Sequence, residues 1–138
     1  TAQSIADENE RIRVVESRIK ALARFFWFTI EFGLMRDNGG LRAYGSGLLS
    51  SFGELAYAVE SPHVQRYPFQ IEWVINQYIE IDHYQPLLFV VDSFAHLLAQ
   101  VDELERWLGT GRLDNVSPGE PEVDEADLQS FLRAGRGA

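Results

Sequence analysis

The stretch Phe25-Phe26-Trp27-Phe28-Thr29-Ile30-Glu31-Phe32-Gly33-Leu34 is the most apolar in the chain, and one carboxylate sits in its middle. Taking an ionised carboxylate out of water costs on the order of several kcal/mol unless a counter-charge or hydrogen bonds meet it. That is comparable with the whole net stability of a small domain, about 5–15 kcal/mol. Glu31 therefore needs a reason. Three are open to it: a structural ion pair or hydrogen bond, with Arg42 or Tyr44 as candidate partner; a general base; or a metal ligand. Perturbed carboxylates gather at functional sites, but structural pairs perturb them too.

Upstream, Ile12, Val15, Ile19, Leu22, Phe26 and Ile30 recur at spacings of three and four, which is the stripe of an amphipathic helix. Ser4-x-x-Asp7 is a weak capping box at its start. The outer face carries Glu8, Glu10, Arg11, Arg13, Glu16, Arg18, Lys20 and Arg24. Beyond Arg24 the polar face disappears, so the last two turns are expected to be buried on all sides. The helix then carries Glu31 into the core. Ala23, Trp27 and Glu31, four apart, are expected on one face, and Gly33 ends the helix.

Downstream, Asp37-Asn38-Gly39-Gly40 is a turn signal. Gly45 and Gly47 around Ser46 suggest unusual backbone or close approach to a ligand. Ser51-x-x-Glu54 opens the next helix as a capping box, with Phe52, Leu55 and Val59 facing the core, and Ser61-Pro62 stops it. Pro68 suits a first helical position, with a short helix over 69–77. Residues 78–81 alternate like a strand, and 87–91 form an apolar run of strand length. Asp92 or Ser93 caps a final helix with core positions Phe94, Leu97, Leu98, Val101, Leu104 and Leu108, ended by Gly109. From Thr110 the chain is rich in Gly, Pro and acids. Residues 110–138 read as an acidic flexible tail, with a short helix at 126–132. Residues 1–109 then form one mainly α domain (α+β with a few short strands).

The 138 residues suffice for one domain with a core, and the net charge of −9 argues against nucleic acid or an anionic membrane as partner. The absence of cysteine excludes disulfides and thiolate chemistry and fits a reducing, cytoplasmic compartment. His63, His83 and His96 lack the i, i+3 or i, i+4 pairing of helical metal ligands, so each reads as a surface or capping histidine. Gly45-Ser46-Gly47 lacks the ending of a phosphate-binding loop, and no nucleophile elbow is present. Residue chemistry alone reaches a mostly helical domain with one buried glutamate beside a glycine-rich loop. It names no reaction.

Two longer stretches do. Ala23-Arg24-Phe25-Phe26-Trp27-Phe28-Thr29-Ile30-Glu31-Phe32-Gly33-Leu34 is one. Leu41-Arg42-Ala43-Tyr44-Gly45-Ser46-Gly47-Leu48-Leu49-Ser50-Ser51-Phe52-Gly53-Glu54-Leu55 is the other. Both resemble the C-terminal half of the catalytic domain of the pterin-dependent aromatic amino acid hydroxylases, the bacterial phenylalanine 4-hydroxylases most of all. The stretch from Tyr84-Gln85-Pro86-Leu87 through Asp92-Ser93-Phe94 is similar to a third family segment.

The resemblance implies a non-haem Fe(II) held by two histidines and one glutamate, with Glu31 at the glutamate position. It implies tetrahydrobiopterin as second cofactor, and phenylalanine and O2 as substrates, giving tyrosine. Trp27 and Phe32 match residues lining the substrate-ring pocket, and Gly47 and Ser50 match the loop beside the amino acid's backbone groups. Ala23 matches a position on the pterin side, and Phe26 an aromatic position near pterin and iron. Tyr44 and Glu54 match positions that hold the site in shape.

The family's two ligand histidines lie in a His-Asp-x-x-x-His type motif upstream of the glutamate helix. Here no histidine precedes Glu31. The arginine that clamps the substrate carboxylate, and most of the pterin loop, are upstream as well. The chain thus resembles the second half of a catalytic domain. It is expected either to act with the missing N-terminal half or another chain, or to be an inactive binding or assembly module. Thr1 in place of an initiating Met fits the first expectation.

Overall fold

The structure, a computed structural model, describes residues 2–79 and 84–118. The domain is mainly helical with a small mixed sheet. Helix α1, Ala2–Phe26, opens at its C-terminal end into a π-helical turn, Trp27–Glu31. There the Phe32 N–H donates to the Trp27 carbonyl at 2.9 Å, five residues back. The wider turn re-phases the side chains after Phe26. Four-residue spacing therefore does not set the direction of Glu31.

Strands β1, Leu34–Asp37, and β2, Gly40–Ala43, form a hairpin. Its turn is Asn38-Gly39, with φ of 50° and 81°. Both central residues are left-handed, as a tight twisted hairpin requires. Helices α2, Ser46–Leu49, and α3, Phe52–Glu60, follow, then β3, Gln65–Pro68, and α4, Ile71–Ile75. Strand β4, Leu87–Val91, and helix α5, Phe94–Gly109, complete the order. The sheet runs β2-β1-β4-β3, with β4 parallel to both neighbours. Along β4 the two-residue period divides the core. Phe89 and Val91 join Phe25, Phe28, Phe69, Val74, Ile75 and Trp107 on one face. Leu88 and Val90 join Phe32, Leu34, Leu48 and Val64 on the other.

Several expectations are corrected. Pro68 ends a strand rather than starting a helix; β3 is an edge strand, where a missing N–H is tolerated. Tyr78 and Ile79 carry no ladder, and residues 80–83, His83 included, lie outside the described residues. Phe52 is 89% exposed, so it is not a core residue.

The largest correction concerns α1. Its apolar stripe is not in the core: Ile12, Val15, Ile19, Phe26 and Ile30 are each about half exposed, and Leu22 is only a little more covered. The chain buries the opposite face, through Ala21, Arg24, Phe25 and Phe28. Arg24, expected in solvent, donates from Nη1 to the Ile75 carbonyl at 2.7 Å. That carbonyl closes α4, and a cation is favoured at a helix C-terminus. Helix α5 behaves likewise: Leu104 and Trp107 are buried, while Phe94, Leu98 and Val101 are exposed. Between α1 and α5 lies an apolar groove of about 470 Å³, lined by Leu22, Phe26, Ile30, Leu97, Leu98 and Val101.

Residues 110–118, expected in a flexible tail, pack against the domain and lie along α1. Leu113 is fully buried, and its carbonyl accepts from the Ser17 hydroxyl at 2.7 Å. Arg18 pairs with Asp114 at 2.6 Å, and Lys20 donates to the Pro118 carbonyl at 2.9 Å. Residues 119–138, with the short helix expected at 126–132, lie outside the described residues. Leu113→Ala is expected to destabilise the chain by about 2–5 kcal/mol, read as a lower urea midpoint, because it empties a core site. The Arg18 hydrogen bond holds the Asp114 carboxyl below its usual 3.8. A depressed native pKa contributes stability above the unfolded value that is lost as pH falls through the native one. Hydrogen-exchange protection of the Val116 amide, which donates to Ser17 Oγ, is therefore expected to be full at neutral pH and to decline below about pH 4.

Candidate functional site

The π-helical turn ends on Glu31, half-buried, and the chain then re-enters the core at Phe32, Gly33 and Leu34. Neither structural partner considered for Glu31 meets it. Arg42 pairs with Asp37 at 2.8 Å. Tyr44 packs its ring against Gly33, where a Cβ would lie 2.2 Å from Cζ. The Tyr44 hydroxyl is buried with no hydrogen-bond partner among the described residues, and burial pushes its pKa well above that of an ordinary phenol. The Glu31 carboxylate has no hydrogen bond or ion pair among the described residues.

The glycine loop explains how that carboxylate is held. Gly45 has an ordinary extended backbone, φ −67°. Its function is close approach, and it approaches the Glu31 main chain. A Cβ there would lie 2.4 Å from the Glu31 carbonyl oxygen. At Gly47 a Cβ would lie 3.0 Å from Glu31 Oε2 and 3.1 Å from Phe32 Cζ. Ser46 donates its hydroxyl to the Ile30 carbonyl at 3.2 Å. The Tyr44 and Gly45 N–H groups both donate to the Gly33 carbonyl. Ser50 donates to the Gly47 carbonyl at 3.1 Å. The loop thus buttresses Glu31 from behind without neutralising it.

Beside it stands an aromatic wall. The rings of Trp27 and Phe32 lie 4.5 Å apart, tilted by 41°. The Trp27 indole N–H donates to Gln85 Oε1 at 3.1 Å, and the Gln85 backbone N–H donates to Glu54 Oε2 at 3.1 Å. The capping box at Ser51 is therefore half formed. Ser51 Oγ accepts from the Glu54 N–H, but the Glu54 carboxylate turns to Gln85.

Glu31, Phe32, Gly45 and Gly47 thus converge. Trp27 joins them through its ring contact with Phe32, and Glu54 is tied in through Gln85. Ser50 is exposed one turn from Gly47. Ala23 is exposed on α1, and Phe26 opens into the groove between α1 and α5. His63 is exposed; His96 Nδ1 accepts from the Asp92 N–H, the capping role expected of it. Sequence reasoning quoted Gln85 within the third family-like segment but gave it no role. A polar residue just before an apolar strand run was its one available signal.

An unpaired, half-buried carboxylate on a rigid backing suits one ligand position of a metal. Among the described residues no three His, Cys, Asp or Glu converge to complete such a site. The class is then that of a mainly helical α+β domain presenting one unmet carboxylate beside an aromatic wall. The chain belongs to the biopterin-dependent aromatic amino acid hydroxylase family, whose family model matches residues 10–109.

Among curated relatives, the phenylalanine-4-hydroxylase of Ralstonia nicotianae is 35% identical over 116 residues, covering 83% of this chain and 37% of the relative. That of Caulobacter vibrioides is 42% identical over 80 residues, covering 58% of this chain and 27% of the relative. Among solved structures, the phenylalanine hydroxylase of Legionella pneumophila superposes with a TM-score of 0.61 at 41% identity, over 67% of this chain and 37% of that one. The apo enzyme of Colwellia psychrerythraea 34H gives 0.63 at 34%, over 75% and 41%. The chain therefore spans 27–41% of the length of these relatives. No helix among the described residues is long and apolar enough to cross a membrane.

Proposed function

We propose that this chain furnishes the carboxylate ligand and part of the ring pocket of an iron- and tetrahydropterin-dependent hydroxylase that converts phenylalanine to tyrosine. One observation carries the reading: Glu31 is half-buried, backed by Gly45 and Gly47, with no counter-charge among the described residues, and a metal cation is the counter-charge that would justify it. Bound iron and tetrahydropterin would supply the activation of dioxygen. The chain's residues do the rest. Glu31 ligates. Trp27 and Phe32 hold the aromatic ring, and Gly47 and Ser50 lie beside the amino acid's backbone groups. Ala23 and Phe26 face the pterin. Tyr44 and Glu54 keep the site in shape.

The two histidines, on this reading, come from polypeptide outside these 138 residues. That polypeptide covers the exposed stripe of α1 and the open face of α5. The stripe runs from Ile12 to Ile30, the residue before Glu31 in sequence. Apolar patches of this extent mark association surfaces. The occupant is the histidine-bearing remainder of a hydroxylase domain, in keeping with relatives more than twice as long as the matched segment.

Co-expression with the histidine-bearing portion of a phenylalanine hydroxylase tests this. A complex that binds Fe(II) is expected. Ile19→Lys, on the exposed stripe, is expected to abolish the complex while leaving the chain's own thermal unfolding unchanged, since Ile19 is 60% exposed. A complex that forms equally well with Ile19→Lys rules out this surface. Association without iron binding is the result expected of a binding or assembly module, and it would overturn the catalytic reading.

A further inference from the structure

We propose that Gln85 is the positioning residue for the Trp27 indole, an inference that rests on the reading of Trp27 as a wall of the ring pocket. A half-buried indole N–H needs an acceptor, and Gln85 Oε1 meets it at 3.1 Å from a different element, the entry to β4. Gln85 is itself 3% exposed and fixed from two sides. Its backbone N–H is held by the Glu54 carboxylate. The preceding Tyr84 lies 5.3 Å from the Tyr57 ring, and its hydroxyl fills the space over Gly53, where a Cβ would lie 2.5 Å away. The Tyr84-Gln85 segment is thereby pinned to the first turns of α3, and Gln85 reaches from there to the π-helical turn.

That arrangement accounts for two oddities. Glu54 leaves its half of the capping box because its carboxylate holds the Gln85 main chain. Trp27 meets Phe32 at a tilt of 41°, a contact that does not by itself select one ring orientation. The hydrogen bond from Gln85 does select one. It also uses up the indole donor, so the wall offered to an aromatic ring is apolar.

The test begins with the indole resonances of the 15N-labelled chain. Trp107, whose indole donates to Glu103 in its own helix, and Trp73 are internal references. Gln85→Leu is expected to move only the Trp27 indole proton upfield and to speed its solvent exchange by about tenfold or more, as for a lost buried hydrogen bond. Gln85→Glu, which keeps an acceptor oxygen, is expected to retain the wild-type behaviour. Should Gln85→Leu fail to fold, with the Trp107 signal lost as well, Gln85→Asn withdraws the oxygen by one methylene and keeps a buried amide; the same Trp27 change is expected. A Trp27 resonance unmoved in a folded Gln85→Leu or Gln85→Asn chain overturns the proposal.

In the complemented, iron-loaded protein, Gln85→Leu is expected to raise the KM for the aromatic amino acid about tenfold, with kcat and the pterin KM within about threefold. Trp27→Ala separates the two layers. If Trp27→Ala raises that KM and Gln85→Leu does not, Gln85 has no positioning role. If Trp27→Ala leaves it unchanged, the pocket reading of Trp27 fails and the positioning role falls with it.

Discussion

Glu31→Ala, in protein complemented with the histidine-bearing portion, is expected to weaken Fe(II) binding by more than about a hundredfold. Even the outer partners of metal ligands cost about 10–100-fold when removed, and a direct ligand costs more. The same substitution is expected to leave the thermal midpoint of the metal-free chain unchanged or to raise it. A half-buried carboxylate without a partner is a desolvation penalty, so its removal relieves strain instead of breaking a bond. Opposite signs in the two measurements separate a ligand from a structural acid. Iron titration and thermal unfolding of the same variant decide it. An unchanged iron affinity, or a midpoint lowered by several degrees, would mean that Glu31 serves packing.

Gly45→Ala is expected to be strongly destabilising, costing at least about 3 kcal/mol, the upper range for overpacking. The added Cβ would meet the Glu31 carbonyl oxygen at 2.4 Å, the Glu31 carbonyl carbon at 2.5 Å and the Gly33 nitrogen at 2.6 Å. These are main-chain atoms on both sides, so no flexible side-chain end can move away. Gly47→Ala meets the Glu31 carbonyl oxygen at 2.9 Å and Glu31 Oε2 at 3.0 Å, looser contacts than those at Gly45. It is expected to cost less stability and to displace the carboxylate, lowering iron affinity in the complemented protein. Gly109→Ala is the control, because a Cβ there has no neighbour within 4 Å. Urea unfolding of the three variants gives the ranking, and a Gly45→Ala chain as stable as Gly109→Ala would remove the close approach as the reason for the glycine.

Local signals in the sequence hold where their cause is local. The three-and-four spacing marks α1 and α5. Asn38-Gly39 makes the hairpin turn because both residues tolerate positive φ. Ser51 and Ser93 cap α3 and α5 with their hydroxyls. The apolar run 87–91 becomes β4, a strand paired on both sides and buried on both faces. Glu31 was marked by its place among aromatics and Gly47 by two glycines around a serine, Trp27 and Phe32 as pocket residues by the family resemblance; Phe32 lies against both Trp27 and Gly47. Gln85 received no role from the sequence because nothing adjacent in sequence needs it. Its partners Glu54 and Trp27 lie 31 and 58 residues away.

The order of helices, turns and caps, and the presence of an unexplained acid in an apolar helix end, were determined by the chain's own residue pattern. Only the tertiary structure decided which side of α1 is covered, that Arg24 closes α4 instead of facing water, that residues 110–118 dock, and that Glu31 has no partner among the described residues. The physical reason is the same throughout. Periodicity shows that a face is apolar, because that is a property of the residues on it. What covers the face, and what meets a buried charge, depends on groups brought from distant parts of the chain.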